Sequence, residues 1–204
     1  MKSVNNVDDL KNEGGEWVMS YNPEKNVKHV TVSGKLWLGI NDRCKHGGKK
    51  HILQPSYVGC ENHFESFQEF AEWCQTQVGY NTFDEKLRRF HLDKDLLVRG
   101  NKIYSPDTCL FLPVELNSLL VKANKIRGAC PIGVSARRGK FFAQCQAGNA
   151  TNVHLGTYAT VDEAFCAYKN FKESFIKQQA EKYKDVIDPR AYNALMHYKV
   201  LITD

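Results

Sequence analysis

The 204-residue chain has no apolar run near the roughly 18 residues that a membrane-spanning helix requires, so no membrane span is expected. The apolar core of a secretory leader is also missing. Met1 to Ser20 is polar and leans acidic, through Asp8, Asp9, Glu13 and Glu16. The seven cysteines are odd in number and lack a short paired spacing, which points to reduced thiols in an intracellular protein rather than a disulfide framework. Internal repeats and low-complexity segments are absent, which excludes a solenoid. The most informative absence is local. From Leu116 to Thr160 there is no Asp or Glu, while Lys122, Lys125, Arg127, Arg137, Arg138 and Lys140 supply six positive charges. A net charge of +5 is modest for the whole chain, but this clustering suits a polyanionic partner.

What is present is clearest between Pro131 and Phe175. Three runs with strand-like alternation, Ile132 to Ser135, Phe141 to Gln146 and Asn152 to Tyr158, are separated by Arg-Arg-Gly and by a Gly-Asn-Ala-Thr turn. Thr160-Val161-Asp162-Glu163 has the T-x-x-E form of a capping box and announces a helix. Ala164, Tyr168, Phe171 and Phe175 recur on it as one apolar stripe. Alternation assigns Val134, Phe141, Ala143, Cys145, Val153 and Leu155 to a sheet face that packs on this stripe. The other face then carries Ser135, Arg137, Gln144, Gln146, Asn152 and His154, all hydrogen-bonding groups without a carboxylate.

Upstream, Met1 to about Asn26 reads as a weakly structured lead-in. Ser33 is placed to cap a first helix in which Leu36, Trp37, Ile40 and Cys44 share a face. Arg43 to His51 is a glycine-broken basic loop, either solvated or placed against phosphate, because no acid occurs from Arg43 to Cys60. A turn at Pro55 to Cys60 precedes a second helix over Glu65 to Gln77 that buries Phe67, Phe70, Ala71 and Cys74. Cys44, His46, His51 and Cys60 are zinc-type ligands, but their spacing matches no common finger; buried thiols and surface histidines are the favoured reading over zinc.

The segment from Phe90 to Leu120 reads as strand, polar loop, strand and helix: a strand around Leu92, a Gly-Asn loop, a short strand over Cys109 to Leu112, and a helix opened by Pro113. At the far end, Asp188-Pro189 starts a helix bearing Ala191, Leu195 and Tyr198, and Val200 to Ile202 is placed as a strand.

Two resemblances follow from these residues. Gly133-Val134-Ser135, Lys140-Phe141-Phe142-Ala143, His154-Leu155-Gly156-Thr157-Tyr158, Glu163-Ala164 and Ala167-Tyr168 resemble the ordered signature of the APETALA2/ethylene-responsive-factor DNA-binding domain over about 45 residues. The resemblance implies a sheet laid in the DNA major groove. It also implies contacts from Ser135, Arg137, Gln144, Gln146, Asn152 and His154, and the basic Arg138 and Lys140 are candidates beside them. Ser135, Gln146, Asn152 and His154 replace arginines and tryptophans of that family, so its target sequence does not carry over.

Leu92-Asp93-Lys94, Tyr104-Ser105-Pro106, Cys109 and Asn117 are similar to the ββα-metal core of phage-type HNH endonucleases. Arg43-Cys44, Tyr57 to Cys60 and the Phe67/Phe70/Trp73 helix look like the lead-in of phage proteins that fuse the two modules. This resemblance implies a Mg²⁺ or other divalent cation held by Asp93 and Asn117, shielding phosphate charge while a base deprotonates water. Lys94 stands where that family has its histidine base, and His91, two residues before Asp93 on the same strand face, is the substitute. Asn101 is a candidate for the middle asparagine, which is otherwise replaced by Thr108.

The expected layout is α+β: a lead-in over 1–26, an HNH-like module over 27–120, a basic linker over 121–130 with Lys122, Lys125 and Arg127, an APETALA2-type domain over 131–183, and a C-terminal helix and tail over 184–204. The resemblances imply a cytoplasmic protein, in the host cell if phage-encoded, that binds double-stranded DNA. One reading is a homing-type endonuclease; the other is a DNA-binding regulator or inhibitor whose nuclease core has decayed.

Overall fold

The structure is a computed structural model that describes residues 19–22, 27–121, 130–147 and 151–204. Helices and strands are mixed, as in an α+β chain. The described residues form two compact units, one from within 1–83 and 92–111, the other from within 84–91 and 112–204. This division falls inside the stretch expected to be one nuclease-like module, because the chain enters the first unit a second time at Leu92 and leaves it after Phe111.

In the first unit, β1 (Met19–Asn22) and β2 (Val27–Val30) pair antiparallel, so the end of the expected lead-in is part of a hairpin. Helix α1 (Val32–Cys44) is capped by Thr31, whose hydroxyl accepts the Gly34 N–H at 3.1 Å. Ser33, the expected cap, instead lies buried inside the first turn. The basic loop is shorter than expected, since α2 (Lys49–Leu53) occupies its second half and leads into a 3₁₀ turn at Pro55–Tyr57. A parallel pairing of β3 (Glu61–Asn62) with β5 (Ile103–Tyr104) has no signature in the sequence because each strand is two residues long.

Helix α3 (Phe67–Thr76) starts at Ser66, which accepts the Glu69 N–H, and it buries the four residues expected. Phe70 sits at the centre of an aromatic cluster, with ring centroids 4.9 Å from Phe64, 5.5 Å from Trp37 and 5.9 Å from Trp73. A fully buried ring of this kind contributes on the order of 2 to 3 kcal/mol. Strand β4 (His91–Asp93) pairs with β6 (Leu110–Leu112).

In the second unit, Pro113 precedes α4 (Val114–Leu119). Strands β7 (Val134–Arg137), β8 (Lys140–Ala147) and β9 (Thr151–Tyr158) form an antiparallel sheet in that order. Helix α5 (Val161–Tyr183) packs on one face of it, and the Thr160/Glu163 capping box is formed in full. Cys145, Phe165, Tyr168 and Val200 make the core between them, edged by Ile132, Val134, Leu155, Phe171 and Tyr198.

The buried row of α5 is Ala164, Phe165, Tyr168, Lys172, Ile176, Ala180 and Tyr183, and it differs from the expected stripe. A strict four-residue row keeps Lys172 inside, while Phe171 and Phe175 stack on one another at its half-buried edge, 6.0 Å apart. Helix α6 (Pro189–Met196) follows, capped by Asp188. Val200 to Ile202 form no strand; Val200 is fastened instead by its N–H to Glu173 at 2.9 Å.

Candidate nucleic-acid interface and the nuclease-like segment

The exposed face of the three-stranded sheet is assembled by register. Residues directly opposite in an antiparallel pair project to the same side. Arg137 faces Lys140, Ser135 faces Phe142, Phe142 faces Thr157, Gln144 faces His154 and Gln146 faces Asn152. Ser135, Arg137, Arg138, Lys140, Gln144, Gln146, Asn152 and His154 are all exposed, and none of their neighbours on the sheet is a carboxylate. Cys145 and Ala143, on the opposite face, are buried.

Two local features hold this face together. The β7–β8 hairpin turns through Arg138 and Gly139, both at positive φ (51° and 73°), as a two-residue primed turn requires. Arg138 therefore sits at the tip of the hairpin in a backbone conformation that costs a non-glycine residue about 1 kcal/mol. In β9 the register shifts opposite Ala143/Gln144, and Leu155 has no partner. Gly156, at φ 138°, takes up this bulge; a Cβ there would lie 2.8 Å from the Tyr158 hydroxyl. Plain alternation would send Thr157 and His154 to opposite sides. The bulge returns them to one.

Phe142 was not among the expected contact residues, yet it lies in the middle of this face. It is half-buried, and its ring centroid is 6.2 Å from that of His154. The signal was available, because Phe142 alternates with Gln144 and Gln146. Lys122, Lys125 and Arg127 lie outside the described residues.

In the nuclease-like segment, Asp93 is buried at the end of β4, and its Oδ1 accepts the N–H groups of Asp95 at 3.0 Å and Leu96 at 2.8 Å. Burial pushes its carboxyl above the usual range. Lys94, where the resemblance expects a base, is 5% exposed. Its ammonium donates to Asp95 Oδ1 at 2.6 Å and to the Asn101 carbonyl at 2.9 Å, and lies over the Tyr104 ring. Asn101 fastens the same loop: its amide donates to the Lys94 and Ile103 carbonyls at 2.6 and 2.7 Å and its oxygen accepts the Ile103 N–H.

Thr108 closes the next turn through Ser105 and the Ile103 carbonyl. The Cys109 thiol is fully buried, which pushes it up to about 12. His91 and Asn117 do meet in the second unit, with Nδ1 and Nδ2 3.4 Å apart at its surface.

These residues fit a catalytic dication poorly. Asp93 is buried with its carboxyl pushed above the usual range, one of its oxygens is already engaged by two peptide N–H groups, and the Lys94 ammonium beside it is paired with Asp95.

Of the basic loop, Lys45, His46, Lys49 and Lys50 are exposed. Arg43 is held over the Tyr57 ring and reaches the Tyr104 hydroxyl, while His51 Nε2 meets the Arg43 carbonyl at 2.7 Å. Cys44 is pushed up to about 11 by burial and the neighbouring Cys60. Among the described residues no three His, Cys, Asp or Glu side chains converge as a metal site. No helix among them is long and apolar enough to cross a membrane. No protein-family profile, curated protein or solved structure matches the chain.

Proposed function

We propose that this chain is a sequence-preferring double-stranded DNA-binding protein that uses the exposed face of β7, β8 and β9, with the nuclease-like segment serving as scaffold. In this reading it acts as a regulator of DNA transactions or as a blocker of other proteins at its site. The observation that carries the proposal is a register that sets Ser135, Arg137, Lys140, Gln144, Gln146, Asn152 and His154 on one exposed side, in a stretch free of Asp and Glu from Leu116 to Thr160. Such a face attracts phosphate and offers amide and guanidinium groups to base edges. The resemblance to the APETALA2-type signature supports the same surface.

The test is selection of bound sequences from a random duplex pool, followed by titration at several salt concentrations. Arg137→Ala or Gln144→Ala should weaken or relax preference at one position by about 1 to 3 kcal/mol if each makes a bidentate base contact. Failure to retain any duplex at low salt would end this reading.

A second reading, an endonuclease with His91 as base, is favoured by the His91–Asn117 approach at 3.4 Å. It ranks lower because Lys94 and Asn101 are engaged inside their own loop. It requires Mg²⁺- or Mn²⁺-dependent nicking that Asp93→Ala abolishes while binding persists. Purified protein that nicks no duplex with either ion would exclude it.

A further inference from the structure

We infer that Phe142 is a specificity-determining residue that reads the 5-methyl group of thymine from the centre of the sheet face; this rests on the duplex-binding reading. Phe142 lies on the middle strand, flanked by Ser135 on one side and Thr157 on the other, with Gln144 two residues along on the same face. The hydrophobic core of this unit lies on the opposite face, around Cys145, Phe165 and Tyr168, so packing of the sheet on α5 does not account for an aromatic ring here. Every other side chain that the register sets beside it is a hydrogen-bonding or cationic group.

An apolar ring among such groups is complemented by an apolar partner on the ligand. In the major groove the base edges offer one, the thymine methyl. Gln144 adds the matching polar half, since its carboxamide suits the N6/N7 edge of adenine. Two residues along a strand advance about 6.8 Å, or two base-pair steps of about 3.4 Å, so the pair spans a short A·T-containing element. The His154 ring, 6.2 Å from Phe142, limits the ring's freedom on one side.

The experiment uses the full chain and a duplex selected from the random pool, with each thymine replaced in turn by uracil, which removes only the methyl group. At one position the wild-type protein should lose about fourfold in affinity, the worth of one methyl-sized apolar contact. Phe142→Ala should bind the thymine and uracil duplexes equally, and Phe142→Leu should keep part of the discrimination. If uracil is tolerated at every position, or if Phe142→Ala retains the wild-type ratio, the inference is wrong while duplex binding still stands. Tighter binding to single strands than to the duplex would overturn it in favour of base stacking on the ring. Absence of duplex binding would remove the underlying reading as well. The thymine-to-uracil comparison on wild-type protein does not depend on any variant folding.

Discussion

The backbone of Gly133 lies against the face of Tyr168: a Cβ added to Gly133 would stand 2.0 Å from Cδ2 of that ring. Tyr168 is buried in the α5 core row, and Gly133, at φ 76°, leads directly into β7 and accepts the Gln144 N–H at 2.9 Å. This contact couples the helix to the edge of the sheet whose far side is the candidate interface.

Gly133→Ala should therefore destabilise the second unit by at least about 2 kcal/mol, since it introduces both a ring clash and a left-handed alanine. Chemical denaturation reads this as a lowered midpoint at unchanged slope. A variant as stable as wild type would rule out a close Gly133–Tyr168 contact.

Arg138→Gly should raise stability by up to about 1 kcal/mol, because the hairpin tip requires φ 51° there. The same change should weaken binding to all duplexes and flatten the dependence on salt by about one phosphate contact. Opposite signs in the two measurements are the expected outcome. Unchanged binding would take Arg138 out of the interface.

Lys172 carries an ammonium group into the α5 core row, where burial lowers its pKa from the ordinary value of 10.5 and the Cys145 thiol works slightly the other way. The unfolded chain therefore holds its proton to higher pH than the folded one. Stability should rise with pH between the folded value and 10.5, and the cost of the buried cation is fully present below that window. Lys172→Met should remove this slope and, near neutral pH, stabilise by about 1 kcal/mol, or roughly 2 to 4 °C in melting temperature. Thermal unfolding at neutral pH and at pH 10 checks both.

Glu115 gathers several partners in the second unit. It accepts the Tyr183 hydroxyl at 2.8 Å and lies 3.4 Å from Lys86 and 3.7 Å from Lys182. The Tyr183 hydrogen bond first, and then the lysines, hold its carboxyl below the ordinary 4.5. That stabilisation is present above 4.5 and is lost as pH falls through the folded value. Glu115→Gln should be less stable than wild type at neutral pH, and the gap should narrow toward pH 3. Urea midpoints across that range would show it.

Where a segment reports its own geometry, the sequence was a sufficient guide. Thr160 and Glu163 announce a capping box because the residues that satisfy one another are three apart. The Phe67/Phe70/Cys74 spacing places α3 to within two residues, because residues on one helical face report their own period. At Thr31 the guide failed, because two hydroxyl residues compete for one cap and only the packing of Ser33 decides between them. The two-residue β3–β5 pairing was invisible, since a parallel contact between Glu61 and Ile103 leaves no local pattern.

The sequence by itself determined that a carboxylate-free, hydrogen-bonding side of a small sheet would exist, because alternation and charge are properties of neighbouring residues. Only the tertiary structure decided which residues complete it. The bulge at Gly156 brings Thr157 and His154 to one side, and register sets Phe142 between Ser135 and Thr157. Likewise, Lys94 and Asn101 are singled out in the sequence only by a resemblance, and it is the fold that shows both fastening one loop, where a buried ammonium and a buried amide satisfy the backbone carbonyls around them.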